Sequence, residues 1–396
     1  MHAANTNLKL QYEGSVKRVF APHASSERLW FEFTDDYSVF DWGKMPETIA
    51  KKGRALTVLG AVFFMRLSQP EFWQKLSGSK NFSGLDPQWL AALWSSPLYS
   101  QLSQHGLNSH YHQLNGVNEQ PLSLKEAARS QSPVYMNVMK ADVHHPQPAV
   151  VLGQTVFHYS PVPSQSVRRL VPLEVVFRFG MPAGSSLKER LEKNPAYATA
   201  LGLKTLPSEG SWFPHPVLEF FTKLEPKDRL LTLSEAMLIS GLSLPQFEDM
   251  AGIAQLVALA LFDLFAASGI ELWDGKFEFI LDNDQILIAD SIGPDELRLI
   301  YKGLHLSKEI IRQVYRGSQW EQALKRSQKL AVDRHVHDWK SICKNELNST
   351  PENLPANFKA AIDHLYPVLA NCVAGEALFE NEPDLDGLVA KLNAAR

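Results

Sequence analysis

The sequence predicts a mixed α+β protein, and three observations carry that expectation. Short runs rich in Val, Ile, Phe and Trp alternate with polar turns. Longer stretches place apolar residues at helical spacing. A composition of 45% hydrophobic and 21% charged residues belongs to a folded chain, not a disordered one. With 396 residues the chain has room for roughly two or three domains. Its 39 Lys and Arg against 43 Asp and Glu leave a net charge of -4. No global basic field exists for nucleic acid, and an anionic ligand would need a local cluster of cations.

Residues 8–66 hold the strand-like runs VKRVF and LWFEF before a helical pattern from about Ala55 to Leu67. Residues 70–150 are richer in Ser, Gln, His, Asn and Pro, which predicts loops and short helices inserted on the first domain. The strand signal returns between Ala149 and Phe179, as AVVLGQTVFHYS and LVPLEVVFRF. Helical patterns follow at Thr232–Ser240 and Gln246–Ser268. KFEFIL and QILIAD, separated by Asp282-Asn283-Asp284, read as a β-hairpin. Beyond Ser307 the pattern is helical, broken near Asn348–Pro355 and Asn381–Pro383. The expected division is an α+β domain over 1–170 carrying the insertion, a second α+β domain over 171–320 carrying the hairpin, and a helical extension over 321–396.

The most apolar stretch, Ala251 to Leu272, is interrupted by Gln255 and Asp263 and reads as a buried helix rather than a membrane span. Neither end shows a secretory or lipidation signal, so a cytoplasmic protein without a membrane partner is expected. Cys343 and Cys372 lack metal-ligand or redox spacing, and no disulfide framework is expected. The pairs His110/His112, His144/His145 and His335/His337 have no second ligand cluster and are expected to be solvent-exposed rather than zinc-bound. No Walker A sequence, dinucleotide fingerprint or nucleophile-elbow serine is present.

Charge placement supplies the candidates for chemistry. Lys276, Glu278 and Asp290 lie in or beside apolar strands, where a charge is costly unless paired or bound to a metal. Alternation puts Lys276 and Glu278 on one face and Phe277 and Phe279 on the other, which on spacing alone reads more simply as the solvent side of an edge hairpin. Loop length decides more. A three-residue loop, Asp282 to Asp284, sets Lys276 opposite Asp290 and brings both carboxylates to one face, as a shared Mg²⁺ site requires. A two- or four-residue loop turns Asp290 away unless a bulge restores it.

A second constellation is the strand from Pro172 to Arg178, followed by Pro182-Ala183-Gly184-Ser185 and a helix. The Arg178 guanidinium and the N–H groups at a helix start suit a phosphate or carboxylate, although Ser185 also reads as a plain N-cap. Gly14 and Lys17, in a strand turn, could cover nucleotide phosphates. Asp35, Asp36 and Asp41, followed by Lys51-Lys52-Gly53, read more simply as a turn and a helix start.

Taken in order, these segments resemble the phosphoribosylaminoimidazole-succinocarboxamide synthase (SAICAR synthetase) family. The residues that carry the resemblance begin with Gly14 and Lys17, then Asp35, Ser38 and Asp41 with Lys52-Gly53. Pro172, Glu174, Arg178, Gly184 and Ser185 follow, then Thr222, Lys223, Glu225 and Asp228. The last groups are Asp274, Lys276, Glu278 and Phe279, and Asp290, Pro294, Asp295 and Arg298. The match runs from Tyr12 to Arg316, with a poor stretch near 70–150 and no counterpart from Trp320 onward. The chain departs from the pattern at Ser15, Val39, Lys227, Ile280 and Ser291, and its loop after Arg178 is one residue longer.

The resemblance implies two sheet-containing domains with an ATP cleft between them, in the manner of ATP-grasp proteins, and a helical carboxyl-terminal segment. It implies an ATP-dependent ligase of purine biosynthesis that joins the carboxylate of carboxyaminoimidazole ribotide to L-aspartate through an acyl phosphate. Glu278 and Asp290 would hold Mg²⁺, Lys17 and Lys223 the ATP phosphates, and the backbone around Arg169 the adenine. Lys276, Arg178, Asp228 and Arg298 would act on the ribotide and aspartate, while Asp35, Ser38, Lys52, Ser185 and Asp274 would bind substrate. A diverged ligase using another carboxylate–amine pair and a non-catalytic nucleotide-binding homologue stay open as alternatives. The implied partners are small molecules, and a homo-oligomer is compatible with them.

Overall fold

In the computed structural model, which describes residues 8–22, 27–159 and 167–396, the strand-like runs pair into two larger sheets and one small hairpin. Packing gathers the chain into two compact units that interleave in sequence. One comprises Met1–Leu59, Gln113–Asn137 and Lys302–Arg396, and the other Gly60–His112 and Val138–Tyr301. We propose in addition a contiguous division at 170 and 320, which limited proteolysis tests by cleavage near those positions.

The first unit is built on β1 (Leu8–Glu13), β2 (Lys17–Pro22), β3 (Arg28–Phe33), β4 (Tyr111–Asn115), β5 (Pro121–Leu122) and β6 (Tyr135–Met139), in the order β1-β2-β3-β6-β4-β5. The segment 70–150 therefore supplies strands to this sheet together with α5 (Leu124–Arg129), while α2 (Pro70–Leu76), α3 (Pro87–Trp94) and α4 (Pro97–His105), which follow α1 (Lys52–Leu67), belong to the second unit. Strands of two to five residues are too short to print a period, which is why the segment reads as loop. The local helix signals are present all the same. Asp86 and Ser96 cap α3 and α4, each followed by Pro, and Ser123 and Glu126 form a capping box on α5.

Six short helices close this unit: α10 (Lys308–Tyr315), α11 (Gln319–Asp333), α12 (Trp339–Ser341), α13 (Ala356–Ile362), α14 (Leu365–Ala374) and α15 (Leu385–Ala394). Trp320 anchors them, its ring centre 5.6 Å from Trp42 and 5.9 Å from Phe40.

The second unit carries β7 (Gln147–Val151) and β8 (Gln154–His158), a hairpin on their own. Its larger sheet contains β9 (Arg168–Leu170), β10 (Leu173–Gly180), β11 (Trp212–Thr222), β12 (Leu230–Leu231), β13 (Glu271–Asp282), β14 (Gln285–Ala289) and β15 (Leu297–Tyr301). The path runs β12-β11-β10-β13-β15, and β9 and β14 also pair with β13. Between these strands lie α6 (Ser186–Lys193), α7 (Tyr197–Ala200), α8 (Leu233–Ser240) and α9 (Leu244–Ala266).

By length and a mean hydropathy of 1.6, α9 could cross a membrane, but Leu256 through Leu261 are wholly buried in the protein core. Phe262 of α9 sits 4.7 Å from Phe179, and Phe247 sits 5.3 Å from Phe220. The helix thus covers the apolar face of the sheet.

The β13–β14 hairpin forms where the sequence places it, with a shorter loop than a shared metal site requires. Asp282 pairs with Gln285, leaving Asn283 and Asp284 as the loop, both at positive φ (45° and 67°). That is the type I′ geometry whose twist matches the flanking strands, and Asn and Asp tolerate it.

Close packing is tightest where α1 begins. A Cβ on Gly53 would lie 2.1 Å from the carbonyl oxygen of Phe33, so only glycine lets the helix start this near β3. Gly53→Ala is expected to cost about 3 kcal/mol or more, read as a lowered urea midpoint with an unchanged slope.

Candidate active site

The charges carried on β10, β11 and β13 owe their direction to strand register. Val176 on β10 lies opposite Lys276 on β13, and Glu219 on β11 opposite Val176. Because side chains alternate, Glu174, Arg178, Glu219, Lys276 and Glu278 then share one face of the sheet. Val175, Phe177, Phe277 and Phe279 take the other face and are buried. A bulge between Leu272 and Asp274 shifts the pairing so that Asp274 meets Arg298 on β15. β13 is a shared interior strand, paired on both sides, and the edge-hairpin reading of Lys276 and Glu278 is therefore corrected.

One cluster on this face joins two lysines to three carboxylates. Lys276 Nζ lies 2.7 Å from Glu174, 3.4 Å from Glu296 and 3.6 Å from Glu278. Lys223 Nζ lies 2.5 Å from Glu278 and 3.8 Å from Glu174. Burial by itself would lower the Lys276 pKa, but the fields of Glu296, Glu278 and Glu174 outweigh it and the net shift is upward. For Lys223 the same opposition holds, with Glu278 and then Asp290 supplying the upward pull.

Asp290 therefore acts on this cluster despite the two-residue loop. Continued alternation would set it opposite Phe277 and aim it away, but its φ of 62° breaks the alternation directly after β14. The bent backbone is held by His110, whose Nε2 lies 3.0 Å from the Asp290 carbonyl oxygen. His110 is 3% exposed and 5.4 Å from the Phe64 ring, so the expectation of a solvent-exposed histidine is corrected at this position.

A second cluster centres on arginine. Arg178 donates from Nε to Glu219 at 2.5 Å and from Nη1 to Asp274 at 2.9 Å. Glu219, 1% exposed, also accepts from Arg190 at 2.8 Å and from the Tyr197 hydroxyl at 2.9 Å. Asp274 lies 3.5 Å from Arg298 Nε. Burial opposes the charge on Arg178, but Glu219 and Asp274 overcome it and raise the pKa. The guanidinium is thus already paired by protein carboxylates, and the open anion fork expected from the sequence is not what the geometry presents.

Ser185 is the N-cap of α6, its hydroxyl accepting from Leu187 N at 3.4 Å. The serine that touches the arginines is Ser186, at 3.4 Å from Arg178 and 3.2 Å from Arg190. Leu187 and Leu191 seat this helix in a core with Met181, Phe213 and Val217.

Other expected residues do different work. Arg169 donates to the carbonyls of Ser240 at 2.9 Å and Gly241 at 2.8 Å, closing the end of α8, and burial lowers its pKa. The backbone beside it is engaged as well, since β9 pairs with β13 and Asp142 bonds Arg168 and Leu170. Asp228 is exposed in the turn between β11 and β12, which is closed by Thr222 and Arg229. Ile280, where the family pattern has glycine, fills a small core with Leu287 and Ala289.

Within the first unit, Lys17 Nζ lies 4.5 Å above the Phe31 ring. The Asp35 carboxylate accepts from Gly53 N at 2.9 Å and Lys51 N at 3.2 Å, anchoring the start of α1. Ser38 accepts from Gly43 N at 3.3 Å, and Lys52 is fully buried near Tyr366. The turn-and-helix-start reading of this segment matches these contacts.

Glu219, Arg190 and Glu296 were missed as site residues. A lone Glu inside the apolar strand HPVLEFFT was the available signal for Glu219. Nothing local marks Glu296. Among the described residues, no group of three His, Cys, Asp or Glu is arranged to hold a metal. The oxygens of Glu278 and Asp290 are nevertheless the hard donors that Mg²⁺ takes when phosphates complete its coordination, so the donor chemistry fits.

Removing Glu219 leaves Arg178 and Arg190 facing each other with their shared carboxylate gone. Glu219→Ala is expected to cost roughly 3–5 kcal/mol in urea unfolding. For Lys276 the folded pKa exceeds the unfolded one, so its contribution is complete below about pH 10.4 and is lost as pH rises through the folded value. The stability difference between wild type and Lys276→Met should be about 2 kcal/mol, constant from about pH 7 to 9, and decline only above that. A difference that fades on the neutral side would contradict the raised pKa.

The sequence profile described as SAICAR synthetase matches residues 10–85 and 95–327. A "putative phosphoribosylaminoimidazole-succinocarboxamide synthase" of Archaeoglobus fulgidus is 28% identical over 387 residues, 96% of this chain and 98% of that one. The phosphoribosylaminoimidazole-succinocarboxamide synthase of Thermotoga maritima is 34% identical over 146 residues, 36% of this chain and 56% of its own length. With that relative the alignment thus spans about half of the curated protein. The fold is shared with the SAICAR synthase of Saccharomyces cerevisiae solved with SAICAR, at a TM-score of 0.53 and 18% identity over 95% of this chain and 98% of that one. The chain belongs to the SAICAR synthetase family.

Proposed function

We propose that the polar face of the second unit's sheet is where this ATP-dependent ligase joins the carboxylate of carboxyaminoimidazole ribotide to the amine of L-aspartate. The observation that carries the assignment is the gathering of Lys223 and Lys276 on Glu174, Glu278 and Glu296, with the field of Asp290 on Lys223. The family places the reaction in purine biosynthesis, and a cytoplasmic enzyme acting on small phosphorylated anions is the accompanying reading.

Mg²⁺–ATP, when bound, supplies the phosphoryl group that turns a carboxylate, a poor electrophile, into an acyl phosphate with a leaving group. Glu278 and Asp290 would hold the metal. Lys223 and Lys276 stay protonated far above neutral pH, so they offer fixed positive charge to phosphate oxygens once Glu278 turns to a cation. Lys17, within the first unit, is proposed as a phosphate-binding cation in its own right. Asp274 bridges Arg178 and Arg298, so that Arg178, itself paired, would hold Arg298 and Ser186 in place to orient an anionic substrate. Asp228, exposed in its turn, suits the aspartate amine. Ser185 would shape this site through the backbone it holds, and within the first unit Asp35, Ser38 and Lys52 would serve substrate through the turn they hold. No enzyme nucleophile is needed, because the amine nitrogen attacks the acyl carbon and phosphate leaves.

ADP release should require the ribotide and L-aspartate together. Glu278→Gln should lower that rate by about 10²-fold or more while the protein stays folded. Wild-type protein that releases no ADP with both substrates at saturating Mg²⁺–ATP, or a Glu278→Gln variant at full rate, would refute the assignment.

A further inference from the structure

The carboxyl-terminal helices hold down the turn that launches α1. Ala50 N donates to the Asp363 carboxylate at 2.7 Å, and Lys51 Nζ pairs with Glu382 at 2.5 Å. The Glu382 side chain, 1% exposed, is also 2.6 Å from His364 Nδ1. The Lys52 ammonium lies 5.3 Å from the ring centre of Tyr366, and the Arg54 guanidinium 5.9 Å from that of Phe379. Phe379 is itself fixed, since Asn371 bonds both its N–H and its carbonyl. Glu47, just before the turn, accepts from Leu354 N.

All of these carboxyl-terminal residues lie past position 327, where the family match ends. The turn they grip lies inside the match, and it needs support. Lys51 has a φ of 64°, a left-handed conformation that costs energy for a residue with a side chain. Asp35 holds the turn from one side by bonding Lys51 N and Gly53 N, and the tail holds it from the other. Glu382 sits at the convergence, because its carboxylate joins Lys51 on the turn to His364 in the tail.

We propose that the segment 354–382 is a positioning element for the Ala50–Arg54 turn, and that Glu382 is its positioning residue. Through Lys51 it fixes the neighbouring Lys52 and the Asp35 carboxylate in the geometry substrate requires. This rests on the reading above that Asp35 and Lys52 serve substrate through the turn they hold. The carboxyl-terminal helices are then part of how this chain builds its substrate site.

The test uses full-length Glu382→Gln, which keeps side-chain size and removes the charge. KM for the ribotide or for L-aspartate should rise about tenfold with kcat changed less than about threefold, and Glu382→Asp should restore part of the loss. Hydrogen exchange at the Lys51 and Gly53 amides should accelerate, while the later turns of α1 stay protected. Asp386→Ala, which breaks the exposed Lys302–Asp386 pair on the same tail, should match wild type. If Glu382→Gln does not fold, His364→Asn is measured by the same two readouts. A lower melting temperature with every KM unchanged overturns the positioning role and leaves a structural contact. Unchanged exchange at residues 50–53 overturns the clamp itself. Absence of turnover by the wild type overturns the functional reading, and the substrate role with it, whatever the exchange shows.

Discussion

Strand alternation in a shared interior strand governs the second unit. β13 pairs on both sides, so its side chains have only two places to go, the α9 side or the charged side. One register satisfies both at once: Phe177 stacks on Phe277 at 4.8 Å on the apolar side while Lys276 reaches Glu174 on the other. A slip of one residue would drive Lys276 and Glu278 into α9 and expose phenylalanines. The apolar core therefore sets the geometry of the charges, even though it touches none of the chemistry.

The charged face is satisfied by its own members. Buried ions are expensive unless paired, and here almost every cation has a carboxylate within bonding distance. Such a site does not hold bare charges waiting for ligand. A metal held by Glu278 and Asp290, with phosphates on Lys223 and Lys276, would replace existing ion pairs rather than meet bare charges. Partner exchange avoids paying full desolvation for either ion. It also explains why the arginine cluster is tied to carboxylates: Glu219 and Asp274 make a rigid donor array from side chains that would otherwise be mobile.

Much of this was legible. The hairpin, the α9 segment, the carboxyl-terminal helices with their breaks, and the charges Lys276, Glu278 and Arg178 all announce themselves through period or through a charge in an apolar run. Other parts were hidden for identifiable reasons. β4, β5 and β6 are too short to show alternation. His110 looks like any surface histidine until the backbone bend at Asp290 gives it a buried partner. Ser185 and Ser186 are adjacent, and only the actual cap position decides which one meets the arginines.

By itself the amino-acid sequence determined the mixed class, the longer elements such as the β13–β14 hairpin and α9, and the family motifs. These follow from local period, turn chemistry and residue type, which are properties of neighbouring positions. Tertiary structure decided which charges meet, that Arg178 is held by Glu219 and Asp274, that Asp290 recovers its place through a left-handed residue, and that the carboxyl-terminal helices grip the turn before α1. Those outcomes depend on side chains tens to hundreds of residues apart. Their partners are chosen by packing and desolvation, which no local pattern encodes.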